Sequence, residues 1–177
     1  TGMVNPDAPL GHHIGQDVGH ITSTVIGGSL KLGDARVEAS AFHGAEPEPT
    51  KVDLPIGTPD SGALRVVGEF SPTFTAMASF AYINEPEPRS PEIPFELRVS
   101  GSGYNQCERG SGWDFDNTLI YGGVSRYDHA SFLGSFGEEF LFTRGAPHLW
   151  GRLEVLQRTP DELELDGQRR RWLRGQV

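Results

Sequence analysis

The strongest constraint on the fold is a series of short segments in which apolar and polar residues alternate, and these segments come in pairs. The clearest pair lies between His20 and Gly44, where the sequence predicts two strands joined by a turn at Gly33-Asp34. Since residues two apart point to the same side of a strand, Val37 lies on the face opposite Glu38. The pattern therefore predicts antiparallel hairpins with one apolar and one charged face.

The same pattern recurs along the chain and predicts about eight strands in four hairpins. The predicted strands are Ile21–Leu32, Ala35–His43, Gly62–Phe70, Thr73–Ile83, Phe95–Gly103, Trp113–Val124, Ser131–Phe142 and His148–Arg158. Short turns alternate with longer loops, among them two proline-rich loops at residues 45–61 and 84–94. The predicted fold is all-β, an antiparallel up-and-down β-barrel of about eight strands or part of a larger barrel. Residues 1–165 would form this barrel domain, and the basic residues 166–177 a loose end or a short helix.

Composition excludes several classes of protein. The formal net charge of the 177 residues is -9, so nucleic acid, which requires clustered Lys and Arg, is not an expected partner. No run of about 18 apolar residues is present, which argues against a membrane-spanning helix, although spanning β-strands need only about 10 residues. The first residues, TGMVNPDAPLGHH, have no secretory leader pattern, which suggests a mature form or an internal piece of a longer chain.

Signatures of an enzyme are absent from the sequence. It contains no nucleophile elbow, phosphate-binding loop, dinucleotide fingerprint or metalloprotease helix motif. The adjacent carboxylates Asp114/Asp116 and Glu138/Glu139 are of the kind that glycosidases use, but such pairs are common on strands. Cys107 is the single cysteine, so no intrachain disulfide is expected, and no accompanying histidine motif marks it as a nucleophile. The prediction is a protein without catalytic residues.

A group of histidines near the start of the sequence is the candidate metal site. His12, His13, Asp17 and His20 lie in a segment rich in Gly, Pro and His that is predicted to be a loop. Imidazole and carboxylate groups suit Zn²⁺ or Cu²⁺, and a loop can bring them together on one ion. The alternative is that these residues make loop hydrogen bonds or line a channel mouth, in which case no cofactor is bound.

Four segments resemble a family of bacterial outer-membrane β-barrel proteins, most of them hypothetical proteins. The segments are GHHIGQDVGHIT (Gly11–Thr22), ARVEASAFHGAEPEP (Ala35–Pro49), PDSGALRV with FSPT (Pro59–Thr73), and HLWGRLEVLQRTPDELEL (His148–Leu165). Their order, spacing and residue types agree with the family pattern over about residues 3–165. The resemblance implies a location in the bacterial outer membrane, contact with membrane lipid, and a chain that corresponds to the middle-to-late portion of a barrel.

The resemblance also assigns a role to charged residues that repeat on one face of the strands. These residues are Arg36, Glu38, Arg65, Glu69, Arg152 and Glu154. In a soluble protein they would form the solvated face, whereas in a membrane barrel they would line the lumen and either fill it with ion pairs or set ion selectivity. Aromatic girdles at the membrane interfaces would then come from Trp113, Trp150, Tyr82, Tyr121 and the phenylalanines of the seventh strand.

Three functional hypotheses follow from the sequence. The first is a non-enzymatic outer-membrane barrel, porin-like or structural, with a charged interior; its partners would be lipid and either further copies or other barrel strands. The second is a soluble β-barrel or β-sandwich that binds a small apolar ligand. The third is a metal-binding protein of the cell envelope, periplasmic or in the outer membrane, that uses the histidine group.

Overall fold

The chain forms a single nine-stranded β-sheet. The computed structural model describes residues 23–45, 56–86, 91, 93–109, 112–126, 132–158 and 170–176. The strands are β1 Ser23–Leu32, β2 Ala35–His43, β3 Ser61–Ser71, β4 Phe74–Asn84, β5 Phe95–Arg109, β6 Trp113–Arg126, β7 Phe132–Thr143, β8 His148–Arg158 and β9 Arg170–Gln176.

The sheet is an antiparallel meander in which every strand pairs with its neighbour in sequence. The spatial order runs from β1 to β9 without a crossover, and all eight ladders are antiparallel. This confirms the predicted all-β, up-and-down architecture. The sheet is not closed, because β1 and β9 form its two edges, and this agrees with a barrel or part of one.

Among the described residues, no helix is long and apolar enough to cross a membrane.

The connections differ in length at the two ends of the strands. Residues 33–34, 72–73, 110–112 and 144–147 connect the strands at one end, the turn end, and residues 44–60, 85–94, 127–131 and 159–169 connect them at the other, the loop end. Gly33 and Gly145 adopt positive φ angles of 62° and 60° in two of the short turns, a conformation that glycine accepts without strain. The alternation of short turns and longer loops was predicted from the sequence.

Two regions depart from the sequence-based prediction. Strand β5 continues through residues 104–109, whereas the predicted strand ended at Gly103. Its long ladder with β6, which ends at the pair Arg109 and Trp113, satisfies the backbone groups of this segment. The basic tail was predicted to be loose or helical, but residues Arg170–Gln176 form β9 by pairing with β8.

Residues directly opposite each other in the ladders share one face, so the register defines two faces across the sheet. The first, which we name the apolar face, is represented by the central row Leu30, Val37, Val66, Ala78, Gly101, Tyr121, Phe136 and Val155. The second, the charged face, is represented by the next row, Ser29, Glu38, Arg65, Ser79, Ser100, Gly122, Ser135 and Leu156. The faces predicted for β2, β3, β4, β7 and β8 agree with this register.

Burial also separates the two faces. Among the described strand residues, the buried side chains larger than hydrogen all lie on the charged face: Phe42, Ser61, Ala81, Ile83, Glu96, Arg98, Val124, Leu133, Ser135, Glu154 and Leu156. In contrast, large apolar side chains such as Leu30, Leu64 and Phe80 are exposed on the apolar face. The buried side chains of the sheet therefore lie on the charged face, and they include both apolar and charged residues.

Aromatic rings on the apolar face lie over glycines of neighbouring strands. The ring of Phe132 on β7 covers Gly123 on β6, and the ring of Phe140 on β7 covers Gly151 on β8, so closely that a Cβ atom at either glycine would overlap the ring. A ring in this position shields the glycine backbone from its surroundings, which compensates for the weak sheet-forming tendency of glycine. The contacts hold β6, β7 and β8 in register.

Candidate functional site: the charged face of the sheet

A base–acid–base triad lies on the charged face of β2 and β3. Glu38 pairs in register with Arg65 on β3, and Arg36 is two residues before Glu38 on β2. Arg36 Nε lies 2.7 Å from Glu38 Oε1, while Arg65 Nε donates to Glu38 Oε2 at 2.5 Å and Arg65 Nη2 makes a second contact. Both arginines are about half exposed, each at 49% of the side chain. Three of the residues predicted to line the interior thus lie together on one face.

An acid–base–acid triad lies on the charged face of β7 and β8. Arg152 on β8 faces Glu139 on β7 in register, with Nε 3.6 Å from the Glu139 carboxylate, and its Nη2 binds Glu154 two residues later. The side chains of Arg152 and Glu154 are only 9% and 3% exposed. Arg152 Nη1 is buried and makes no hydrogen bond. The sequence predicted Arg152 and Glu154 at this face but missed Glu139.

A third ion pair, which was not predicted, is buried on β5. Arg98 Nε and Nη2 donate to Glu96 Oε2 at 3.0 and 2.8 Å, and the Glu96 side chain is fully buried. Its sequence signal was present, since an acid and a base two residues apart is the spacing seen in Arg36–Glu38 and Arg152–Glu154. Glu69, the remaining predicted residue, is exposed on the same face; its backbone N–H donates to the carbonyl of Asp34 at 2.8 Å, and it is not part of a triad.

Hydroxyl groups occupy the charged face between the two triads. Ser79 Oγ and Ser100 Oγ, which face each other on β4 and β5, are 2.5 Å apart. The buried Ser135 hydroxyl donates to the carbonyl of Gly122 at 3.3 Å, and Tyr104 donates to Asp116 at 3.2 Å. The serines keep the side chains in the middle of the charged face short, and all four hydroxyl groups take part in hydrogen bonds.

An aspartate anchors the base of the first long loop at the loop end. Asp60 accepts hydrogen bonds from the backbone N–H of Gly44 and the hydroxyl of Ser61, both at 2.8 Å, and contacts His43 Nδ1 at 3.0 Å. Burial works to raise the pKa of the Asp60 carboxyl, but these hydrogen bonds and the nearby His43 outweigh burial and hold the pKa below its ordinary value. Asp60 thus stabilises the junction between the loop and β2 as a carboxylate.

Aromatic residues of the apolar face concentrate near both strand ends. Tyr82 and Phe95 stack at the loop end with ring centroids 5.6 Å apart. At the turn end Phe115 lies 4.6 Å from Phe142, and the Arg144 guanidinium lies 5.4 Å from the Trp113 ring. The predicted girdle residues Trp113, Tyr82 and Tyr121 and the four phenylalanines of β7 lie on this face, but Tyr121 and Phe136 belong to its central row and not to a strand end.

The inclusion of Trp150 among the girdle residues was wrong. Its position in the ladder with Leu141 places it on the charged face, because the alternation along β8 directs Leu149 and Gly151 to the apolar side.

The remaining candidates contribute no assembled site in the described part of the chain. Glu138 and Glu139 lie on opposite faces, with Glu138 accepting from Asn117 at 3.0 Å, so they do not form a carboxylate pair. Within residues 23–45, 56–86, 91, 93–109, 112–126, 132–158 and 170–176, no group of three or more His, Cys, Asp or Glu residues is placed to hold a metal ion. The predicted metal ligands His12, His13, Asp17 and His20 all lie outside these ranges.

The arrangement as a whole separates two environments across one sheet. One face offers carboxylates, guanidinium groups and hydroxyls, which bind water and ions. The other offers aliphatic and aromatic side chains without a covering layer among the described residues.

No protein-family model, curated protein or solved structure matches this chain. The resemblance to outer-membrane barrels therefore stays a prediction from the quoted sequence segments.

Proposed function

We propose that this chain forms a non-enzymatic β-barrel, or part of one, in the bacterial outer membrane. The apolar face contacts lipid, and the charged face lines a polar interior. The observation that carries this proposal is the exposure of large apolar side chains on one face of β1, β3, β4, β6, β7 and β8. Soluble monomers rarely expose contiguous apolar patches larger than a few hundred Å², whereas a membrane barrel requires such a band.

The height of the apolar band supports the proposal. On β7 the outermost aromatic residues of the apolar face, Phe132 and Phe142, are ten residues apart (142 - 132). Ten residues of extended chain span about 33 Å, and at a strand tilt of ~40° this corresponds to about 25 Å along the barrel axis. That height matches the apolar band of outer-membrane barrels, which is flanked by aromatic residues at both interfaces.

The distribution of polarity argues against a soluble protein that binds an apolar ligand. A soluble barrel that binds such a ligand places apolar side chains inside and polar side chains outside. In this chain the buried face is mixed, since Glu96, Arg98 and Glu154 are buried there beside apolar side chains, while Leu64 and Phe136 are exposed on the other face.

The buried residues of the interior indicate a narrow or filled lumen beside β5–β8. Leu133 and Leu156 are almost completely buried on the same face as the Glu96–Arg98 and Arg152–Glu154 pairs. Small barrels of about eight strands are filled by side chains in this way. We therefore propose a structural barrel, or a porin-like barrel in which any solute path runs beside β1–β4.

A pair of arginine substitutions tests which face meets lipid. An arginine on the lipid side of a barrel near the bilayer centre costs about 2–4 kcal/mol. We expect Val66→Arg, in the central row of the apolar face, to impair insertion into lipid vesicles. The matched substitution Thr118→Arg, on the charged face opposite Glu139, should insert as the parent does.

The readout is the shift between unheated and boiled samples on SDS gels, together with protection from protease in vesicles. The proposal predicts that the parent chain needs detergent and shows the gel shift, and that only Val66→Arg loses it. A parent chain that is monomeric and folded in plain buffer would contradict the proposed location.

A further inference from the structure

We propose that the charged face over β1–β4 carries a binding site for a small organic anion, with Arg65 as the residue that receives its anionic group. The site is a cavity of about 490 Å³ lined on this face by Glu38, Arg65, Phe42, Ala63, Ala81 and Ser29. This volume lies within the range of pockets that hold small ligands. This proposal extends the proposed function and rests on its assignment of the charged face to the interior of the barrel.

The cavity exists because its floor is built from small residues. Gly27, Ser40, Ala63 and Ala81 occupy one continuous row across β1, β2, β3 and β4 on the charged face. The buried ring of Phe42 lies at the loop-end side of this floor, and the charged residues lie at the turn-end side. A ligand in the cavity therefore meets apolar atoms at one end and ions at the other.

The electrostatics of the triad favour an anion at the charged end. The Glu38 carboxylate is shared by two guanidinium groups, with Arg36 at Oε1 and Arg65 at Oε2. Two positive charges and one negative charge leave an excess of one positive charge. Lys31 faces Arg36 in register and adds to this positive charge. The exposed Glu69, on the turn-end side, reduces it.

Donor groups remain on the arginine that lines the cavity. A guanidinium has five N–H donors, and the contacts of Arg65 with Glu38 involve Nε and Nη2. Its side chain is about half exposed, so a ligand can reach Nη1 without displacing Glu38. Arginine binds carboxylate and phosphate groups through such parallel N–H donors. The site thus fits an organic anion whose carboxylate contacts Arg65 and whose apolar body covers Ala63 and Ala81.

The test uses the full chain folded in detergent and a matched set of small probes. Benzoate is titrated by calorimetry beside the neutral benzamide and the cationic benzylamine, which share its ring. We expect saturable binding of benzoate alone. Arg65→Gln should weaken it about tenfold or more, because the charge-assisted contact is lost. Ser29→Phe, which fills the cavity from the exposed β1, should abolish it.

The control is Arg144→Gln, which removes one positive charge from an exposed turn outside the cavity lining and should leave binding unchanged. Absence of benzoate binding in a parent chain that shows the gel shift overturns the anion site and leaves the membrane proposal standing. Equal binding by the parent and Arg65→Gln also overturns it. A chain that is soluble without detergent but binds benzoate through Arg65 supports the site and contradicts the membrane location.

Discussion

The base–acid–base triad of β2–β3 and the acid–base–acid triad of β7–β8 have the same geometry but opposite charge. Each combines one pair facing across the ladder with one neighbour two residues away on the same strand. They differ most in burial, since Arg65 is about half exposed whereas Arg152 is 9% exposed. The same arrangement of charged side chains is thus open to solvent at one site and buried at the other.

The neighbours of each triad explain the difference in burial. Leu156, two residues after Glu154, and Leu133 are large side chains that exclude water from the β7–β8 region. The β2–β3 triad instead borders Ser29 and Ser79, whose short side chains leave the cavity open. Buried ions need all of their partners, while exposed ions are stabilised by water and remain available to a ligand.

The largest expected effect is in the buried triad. Arg152→Ala leaves Glu154 buried without its partner, and removal of one member of a buried pair costs about 3–5 kcal/mol. We expect a loss of this size in the free energy of unfolding, measured by urea denaturation in lipid vesicles with tryptophan fluorescence. A loss as small as that of an exposed arginine would show that the β7–β8 triad is solvated.

The apolar residue that seals this region is expected to have the next largest effect. Leu156→Ala creates a cavity on the interior face and should cost about 2–5 kcal/mol in the same unfolding measurement. Val66→Ala on the apolar face is the matched control, and it should cost less because lipid fills the vacated space. Equal losses at the two positions would contradict the assignment of the interior.

The alternation of side chains was sufficient to predict the faces but not their burial. Arg36–Glu38 and Arg152–Glu154 have the same spacing in the sequence, and only the three-dimensional neighbours, Leu133 among them, make one region closed and the other open. Glu96–Arg98 has the same spacing and was overlooked. Glu96 faces the buried Ile83 and Arg98 faces the buried Val124 across the ladders, and a pattern along one strand does not encode these partners.

Strand ends were the least predictable part of the fold. Residues 104–109 include the turn-forming Asn105 and directly precede Gly110, Ser111 and Gly112, yet they continue β5 because β6 offers backbone partners along the whole segment. Residues 170–176 show no alternation of apolar and polar residues. They nevertheless form a strand because the edge of β8 provides backbone hydrogen-bond partners. In both cases pairing with a neighbouring strand outweighed the intrinsic preference of the segment.

The exposed triad is expected to be far more tolerant than the buried one. Arg65→Met removes one of the two partners of Glu38, but water and Arg36 still stabilise that carboxylate. We expect only a small change in urea stability, well below that of Arg152→Met measured in parallel. Comparable losses for the two substitutions would remove the distinction between the triads.

The smallest effect is a local one at the loop end. The lowered pKa of Asp60 means that its stabilising contribution is complete above the ordinary aspartate pKa of about 3.9 and is lost as the pH falls through the folded value. Protection of the Gly44 amide in hydrogen exchange should therefore decrease on acidification below about pH 4. Asp60→Asn should remove this pH dependence, and its persistence in that variant would assign it to another group.

The most direct test of the central claim measures what each face contacts in a bilayer. With Cys107→Ser as background, single cysteines at Val66 and Ala78 on the apolar face and at Ser29 and Ser79 on the charged face carry nitroxide labels in reconstituted vesicles. The account predicts that labels at Val66 and Ala78 collide mainly with oxygen dissolved in lipid, and that the other two collide mainly with a water-soluble nickel chelate. Equal access of the chelate to both faces, or the reverse pattern, would contradict it.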